Sequence, residues 1–353
     1  MTIRIGAIAL LLAVLTAIAA AQERTSENDE NLKRALKRHP RADANGDGIL
    51  TRDEARAYTQ KLKAWRKKLE QDQALKPKPT FANVSYGPHE RNVLDLWQAQ
   101  GDGPRPLVIF IHGGGWRGGD KSKLRRQDLE TLLADGISVT AVNYRLTQTA
   151  PFPAPMRDAA RALQFLRNKA GEWNLNPERV ACFGGSAGGV TSLWIGFHED
   201  LADPGSPDPV LRQSTRLTCI GANSAPTSFD MRVMKEWVGG EPSAHPAVNP
   251  FYGVQSTEEL NRPEIQRLME EASPITHLTK DDPPVFMQYG QPNVPLGKDW
   301  TPGQLVHHPM FGVKLKEAMD ALGIEAVLRY PNRQEDAYKD MMDFFRQKLT
   351  DAH

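Results

Sequence analysis

From residue 80 onward the apolar residues fall into short blocks. Residues 84–86 and 93–97 read as an opening hairpin, and 107–111, 138–142, 180–183, 218–222, 285–289 and 325–329 read as successive strands. Longer stretches between most of them carry apolar residues at helical spacing. This alternation predicts an α/β architecture: a doubly wound, mainly parallel sheet whose ligand site lies beyond the carboxyl ends of its strands. Residues 224–282 are more than one crossover helix needs, so part of that interval is expected to form a lid over the site.

The first 79 residues follow another pattern. One positive charge, Arg4, precedes an uncharged run from 5 to 22 that ends in Ala19, Ala20 and Ala21. That is the form of a signal peptide over 1–21, which implies export to the periplasm or beyond the cell and no stable membrane insertion once it is removed. Residues 22–79 read as a small helical module with a linker: a helix over 31–39 that Pro40 must end, a loop over 43–54, and a second helix to about 73. Tyr58, Leu62, Trp65 and Leu69 share one stripe of that second helix, which predicts a docking face. Lys76 to Pro79 form the linker, and 80–353 the main domain.

Charge and cysteine count narrow the function classes. The chain has 44 Lys and Arg against 43 Asp and Glu, so its net charge of +1 offers no global attraction for nucleic acid. Residues 31–78 hold 14 basic against 6 acidic side chains, read as a solvated helix face opposite the docking stripe. Cys182 and Cys219 lie in neighbouring predicted strands, where bridge geometry is seldom met, so two buried free thiols are expected.

Gly184-Gly185-Ser186-Ala187-Gly188 follows the strand at 180–183 and precedes a helix-compatible run from 190 to 197. A tight strand-to-helix turn of the G-x-S-x-G kind exposes the serine hydroxyl, provided the positions two before and two after carry almost no side chain. Gly184 and Gly188 meet that need. His112-Gly113-Gly114-Gly115-Trp116 closes the strand at 107–111, where glycine amides can approach a developing oxyanion. Gly114 and Gly115, with Gly113 as the alternative, and Ala187 from the elbow side are the expected donors. His112 is read as holding its loop by a hydrogen bond.

These motifs, with Arg117 to Lys121, Asn143 to Leu146, Pro153 to Phe165 and Asn176 to Val180, resemble the hormone-sensitive-lipase-like and feruloyl-esterase-like α/β hydrolases. The likeness covers residues 80 to about 200 closely and 273–290 more loosely. It implies hydrolysis of a small-molecule or carbohydrate ester through an acyl-enzyme at Ser186, no cofactor for catalysis, and Trp116 and Tyr144 lining the pocket. Such enzymes order serine, acid and histidine along the chain. Here the acid position beyond the seventh strand holds Asn293, and the loop after the last strand, 330–336, has no histidine. His307 or His308 could serve as base from the seventh-strand loop, oriented by Asp299 or by Glu335 or Asp336. Otherwise His308 caps the following helix and His307 is exposed. Losing a triad member removes on the order of ten-thousand-fold to million-fold in turnover. The alternative is therefore a catalytically impaired protein that binds a ligand in the inherited pocket.

Asp43, Asn45, Asp47, Gly48, Ile49, Thr51 and Glu54 match D-x-[DN]-x-[DN]-G-x5-E, which resembles an EF-hand loop. Calcium takes six to eight hard oxygens. The resemblance assigns side-chain oxygens of Asp43, Asn45, Asp47, Thr51 and Glu54 and the Ile49 carbonyl to a structural Ca2+, bound weakly because no second loop pairs with the first.

Overall fold

The computed structural model describes residues 24–39, 42–298 and 300–350; the expected signal peptide and Pro40 lie outside them. The chain divides into two compact units between Lys76 and Pro77.

In the first unit, helix α1 (Glu30–Arg38) starts where Asp29 accepts hydrogen bonds from the amides of Asn31 and Leu32. Helix α2 (Arg52–Ala74) starts inside the acidic loop. Thr51 Oγ1 accepts from Glu54 N (3.2 Å) while Glu54 Oε2 accepts from Thr51 N (3.0 Å), the reciprocal bonding of a capping box. Before α1, Ser26 N donates to Leu50 O and Leu50 N to Ser26 Oγ, both at 2.9 Å, and Thr25 bridges Thr51 in antiparallel fashion. Leu50 is thereby sealed from solvent. The predicted docking stripe on α2 is only partly occupied: Tyr58 is half-buried, with its ring 5.9 Å from that of His39, whereas Leu62 is exposed. The side chains of Trp65 and Leu69 lie outside the described residues.

The second unit is built on eight strands. β1 (Phe81–Ser85) pairs antiparallel with β2 (Val93–Trp97), and β2 antiparallel with β4 (Ser138–Val142). β3 (Arg105–Ile111) lies parallel between β4 and β5 (Leu175–Gly185). β6 (Cys219–Asn223), β7 (Val285–Gln288) and β8 (Ala326–Arg329) extend the sheet in parallel, giving the order β1-β2-β4-β3-β5-β6-β7-β8. The fifth strand starts earlier than its apolar block because Leu175 pairs with Arg105.

Between strands run α3 (Arg126–Ala134), α4 (Ala154–Asn168) and α5 (Ala187–Phe197). The long interval after β6 contains α6 (Met231–Val238), α7 (Val248–Tyr252) and α8 (Pro263–Glu271). After β7 come α9 (Pro302–Val306) and α10 (Met310–Ala321), and α11 (Met341–Thr350) follows β8. Successive strand side chains point to opposite faces. Ile109, Ile111, Cys182 and Ile220 thus join Met156, Val190, Leu193 and Phe311 in one core, while Val108, Ala181, Phe183 and Cys219 join Leu129, Leu132, Phe344 and Phe345 in the other. Cys182 and Cys219 fall on opposite faces, and both are free and buried, as expected.

The face under α11 packs closely. A Cβ placed on Gly221 would meet Phe345 Cζ at 2.7 Å, and the Phe345 ring stands edge-on to Phe183 with centroids 5.7 Å apart. Phe345→Ala should therefore leave a cavity under β5 and β6 and destabilise this unit by about 3–5 kcal/mol. The check is the midpoint of denaturant unfolding; an unchanged midpoint would show that α11 contributes little to the core.

Candidate active site

Ser186 sits between β5 and α5 with φ 52° and ψ −124°, a backbone conformation that costs energy for a side chain with a Cβ. Its amide donates to Asn223 O at 2.8 Å, tying the turn to the neighbouring strand β6. The turn needs its glycines for close approach: a Cβ would stand 2.3 Å from Ile111 O at Gly184 and 2.0 Å from the same oxygen at Gly188. With β3 pressed so near, the serine has one way out, toward the carboxyl edge of the sheet.

The glycine loop after β3 is held from behind. His112 Nδ1 donates to Gly113 O (3.0 Å), Arg91 Nη2 donates to His112 Nε2 (3.3 Å), and Tyr144 stacks on the imidazole while its hydroxyl donates to His112 O (2.7 Å). Burial is the first cause that drives the His112 pKa down to about 4, so this ring is neutral. Tyr144 is fully buried in this buttress rather than lining the pocket, a correction to its expected place. Gly114 (φ 120°) and Gly115 (φ 59°) adopt conformations that favour glycine, and among the described residues their amides make no hydrogen bond within the chain.

The imidazole beside Ser186 comes from the seventh-strand loop. His307 Nε2 lies 2.9 Å from Ser186 Oγ. His307 ends α9, whose first turn is fixed by a Thr301–Gln304 capping box with Pro302 at its start. Gln291 Nε2 donates to Gln304 O at 2.6 Å, fastening α9 to the end of β7. The adjacent His308 turns away: Nδ1 accepts from Met310 N (3.1 Å) and Nε2 donates to Val294 O (2.8 Å), so it is a helix cap and loop clamp, away from Ser186. His307 is half-buried, and burial alone lowers its pKa below the ordinary imidazole value.

Candidate orienting acids are less well placed. Among the described residues no carboxylate is hydrogen-bonded to His307; Asp299 lies outside them. Glu335 pairs with Arg333 at 2.8 Å and Asp336 is exposed, so neither reaches the site as the sequence allowed. Asn293 is half-buried in its loop. After β8, residues 330–333 close a tight turn in which Tyr330 and Arg333 exchange backbone hydrogen bonds at 3.0 and 2.8 Å.

Ser186 opens onto a small cavity walled by Trp116, Val190, Pro226, Phe229, Ala247 and Val306, with His245 also in the lining. Trp116 is fixed by its Nε1 donating to Thr191 Oγ1 (3.0 Å). His245, from the lid interval, accepts from Ala247 N on Nδ1 (3.2 Å), which places its proton on Nε2. Burial first, then the nearby His307, lowers its pKa to about 4.

The acidic loop of the first unit is closed by its own side chains. Asp43 Oδ2 accepts from Gly48 N (2.9 Å), Asn45 Oδ1 from Asp47 N (3.0 Å) and Asp47 Oδ1 from Ile49 N (2.8 Å), with Gly46 and Gly48 at positive φ. Thr51 donates its hydroxyl to Glu54 Oε2 (2.8 Å). Hydrogen bonds from Thr51 are the largest cause holding the Glu54 carboxyl below its ordinary range. The Glu54 carboxyl is thus favoured in its charged form, and the loop's set of hard oxygens is of the kind calcium takes.

The sheet order and the serine turn place the second unit among the α/β hydrolases. The chain belongs to the BD-FAE family, whose model matches residues 94–296. Curated relatives include the probable carboxylic ester hydrolase LipM of Mycobacterium tuberculosis, 26% identical over 215 residues covering 59% of this chain and 47% of LipM. Another is the esterase LipQ of the same organism, 26% identical over 61% of this chain and 49% of LipQ. The chain thus spans about half the length of these relatives. A truncated carbohydrate esterase from gut microbiota superposes with a TM-score of 0.61 at 23% identity, over 77% of this chain and 96% of that one, a likeness of fold.

The Gly188 contact gives a direct test of the elbow. Because the obstructing atom is backbone, Gly188→Ala should force β3 and α5 apart, lowering the thermal midpoint by several degrees and distorting the Ser186 turn. An unchanged melting curve would mean that the turn has room to spare.

Proposed function

We propose that this protein is an exported serine carboxylesterase acting on small, aryl or carbohydrate-linked esters through an acyl-enzyme at Ser186. The observation that carries the reading is the 2.9 Å contact between Ser186 Oγ and His307 Nε2. In the first step Ser186 Oγ attacks the ester carbonyl carbon and its proton passes to His307 Nε2. The oxyanion is received by the amides of Gly114, Gly115 and Ala187. As the tetrahedral intermediate collapses, His307 returns the proton to the departing alkoxide, leaving Ser186 acylated. Water, deprotonated by the same imidazole, then attacks the acyl carbon; the second intermediate expels Ser186 Oγ, which regains its proton from His307, and the carboxylic acid is freed. The apolar walls of the cavity favour a short acyl chain. The esterase relatives and the BD-FAE family support ester chemistry, and the carbohydrate-esterase neighbour favours a sugar-linked alcohol side.

Asp299 is the residue of the 291–308 loop that we assign to orient His307. Asn293 and the absence of a carboxylate on His307 among the described residues favour the second reading, a binding protein with feeble turnover. The two readings part on substitution. His307→Ala should reduce kcat for a short-chain aryl ester by at least about a thousand-fold, whereas His308→Ala should mainly cost thermal stability. An organophosphonate should label the parent and spare Ser186→Ala. A parent rate barely above background, unchanged in His307→Ala, would establish the binder instead.

The base must be neutral to accept a proton. Since burial lowers the His307 pKa, kcat/KM should rise with pH along a limb whose midpoint lies below about 6.5 and be flat through neutrality. A pH–rate profile with its midpoint above that value would point to a charged partner on His307.

We further propose that the 43–54 loop binds one Ca2+ as a structural ion, with Asp43, Asn45, Asp47, Ile49, Thr51 and Glu54 as the ligands. The folded hydrogen-bond pattern of the loop supports this. Binding to the folded state alone stabilises it. Millimolar-range calcium should therefore raise the melting temperature of the first unit relative to chelator, and Glu54→Gln should erase the difference. Identical melting curves with calcium and with chelator would remove the ion from the proposal.

A further inference from the structure

A second group of donors lies at the far end of the serine helix. His198 terminates α5, Glu271 is the last residue of α8, and His277 ends a 3-10 turn over Pro274–His277. One ligand atom from each of the three lies within 4.8 Å of the others. Both imidazoles are held by main-chain acceptors: His198 Nδ1–H donates to Glu199 O (2.9 Å) and His277 Nε2–H to Glu271 O (2.8 Å). Trp194 Nε1 donates to that same Glu271 carbonyl (2.9 Å), and the Trp194 ring lies 4.5 Å from the His198 ring. For His198 the Glu199 carbonyl is the usual outer partner of a metal-ligating histidine, a backbone carbonyl that fixes the tautomer and leaves the other nitrogen free.

That tautomer creates an electrostatic problem. With its proton on Nδ1, neutral His198 turns the lone pair of Nε2 toward Glu271 Oε1, 3.1 Å away. Two lone pairs at that range repel unless a positive species sits between them. A proton can serve two atoms; a metal ion can also engage the second imidazole, half-buried beside the pair, whose Nε2 lies 3.9 Å from Glu271 Oε2 and would exchange its bond to the Glu271 carbonyl for the ion. Bonds of about 2.1 Å from one ion to both atoms would subtend roughly 95° at their present separation, within the range of zinc and its neighbours.

We propose that His198, Glu271 and His277 bind a divalent transition metal, zinc foremost, that clips the end of α5 to the base of the lid interval. Two imidazoles and one carboxylate are a borderline-soft set, distinct from the all-oxygen loop of the first unit. With only three protein ligands, at least one coordination position is left to water. The inference does not rest on the esterase reading.

The test uses the tag-free chain, stripped with chelator, dialysed, and kept in millimolar calcium so that the oxygen loop is not a competing site. Calorimetric titration with zinc should show one equivalent bound with a dissociation constant of about a micromolar or tighter. His198→Ala and His277→Ala should each weaken it by about thirty-fold or more, and Glu271→Gln should weaken it also. Should a variant fold poorly, the parent alone decides: Co2+ should give visible d–d bands, and sub-stoichiometric Zn2+ should shift the imidazole NMR signals of His198 and His277 only. No stoichiometric uptake, or undiminished uptake in the double His198→Ala/His277→Ala chain, overturns the proposal and leaves the His198–Glu271 contact to a proton.

Discussion

Everything at the carboxyl edge of the sheet depends on one steric constraint, the approach of β3 to the serine turn. Ile111 O lies so close to both Gly184 and Gly188 that neither can carry a side chain. The strain of Ser186 at positive φ persists because the parallel pairing of β3, β5 and β6 and the Ser186–Asn223 bond leave the turn no relaxed alternative. The same approach sets the glycine loop beside the serine, since a Cβ on Gly113 would lie 2.4 Å from Gly185 O. Nucleophile and loop are thus registered by backbone contact. His112, Tyr144 and Arg91 then hold the loop from its buried side, and the neutrality of His112 avoids placing an uncompensated buried charge there.

Two kinds of residue were legible from the chain alone. The strand blocks and the elbow announce themselves through local chemistry: apolar residues bury on both faces of a parallel sheet, and glycines appear where a backbone must pass another. The ends of strands were less clear, because Leu175 pairs through its backbone ahead of the apolar block. Tyr144 was misplaced for a similar reason. Its polar tip suits a pocket equally well, and only the tertiary fold shows that the hydroxyl is taken up by His112 O.

The base illustrates a different limit. Sequence narrowed it to two adjacent histidines, but one residue of phase in the turn after α9 decides which ring faces Ser186 and which caps α10. That phase is set by the capping box at Thr301 and the clamp from Gln291, both visible as residues yet silent about direction. His245 reaches the cavity from the interval after β6, far along the chain from either motif, so only the fold shows that it lines the pocket. In the first unit, Ser26 and Thr25 had no signature at all. They pair with Leu50 and Thr51, and only the fold brings them there.

The clamped segment carrying His307 has a consequence for how the protein can be tuned. α9 is five residues long, and what fixes it is a small set of local bonds: the Thr301–Gln304 box, the Gln291 side chain and the His308–Val294 contact. Such a segment opens on its own, without the sheet, at a free energy set by those few bonds. The apparent rate of the site then scales with the fraction of molecules in which the segment is closed. Residues such as Thr301 and Gln291, which lie away from the Ser186–His307 contact, thus act as a rheostat on the share of molecules in which that contact is made.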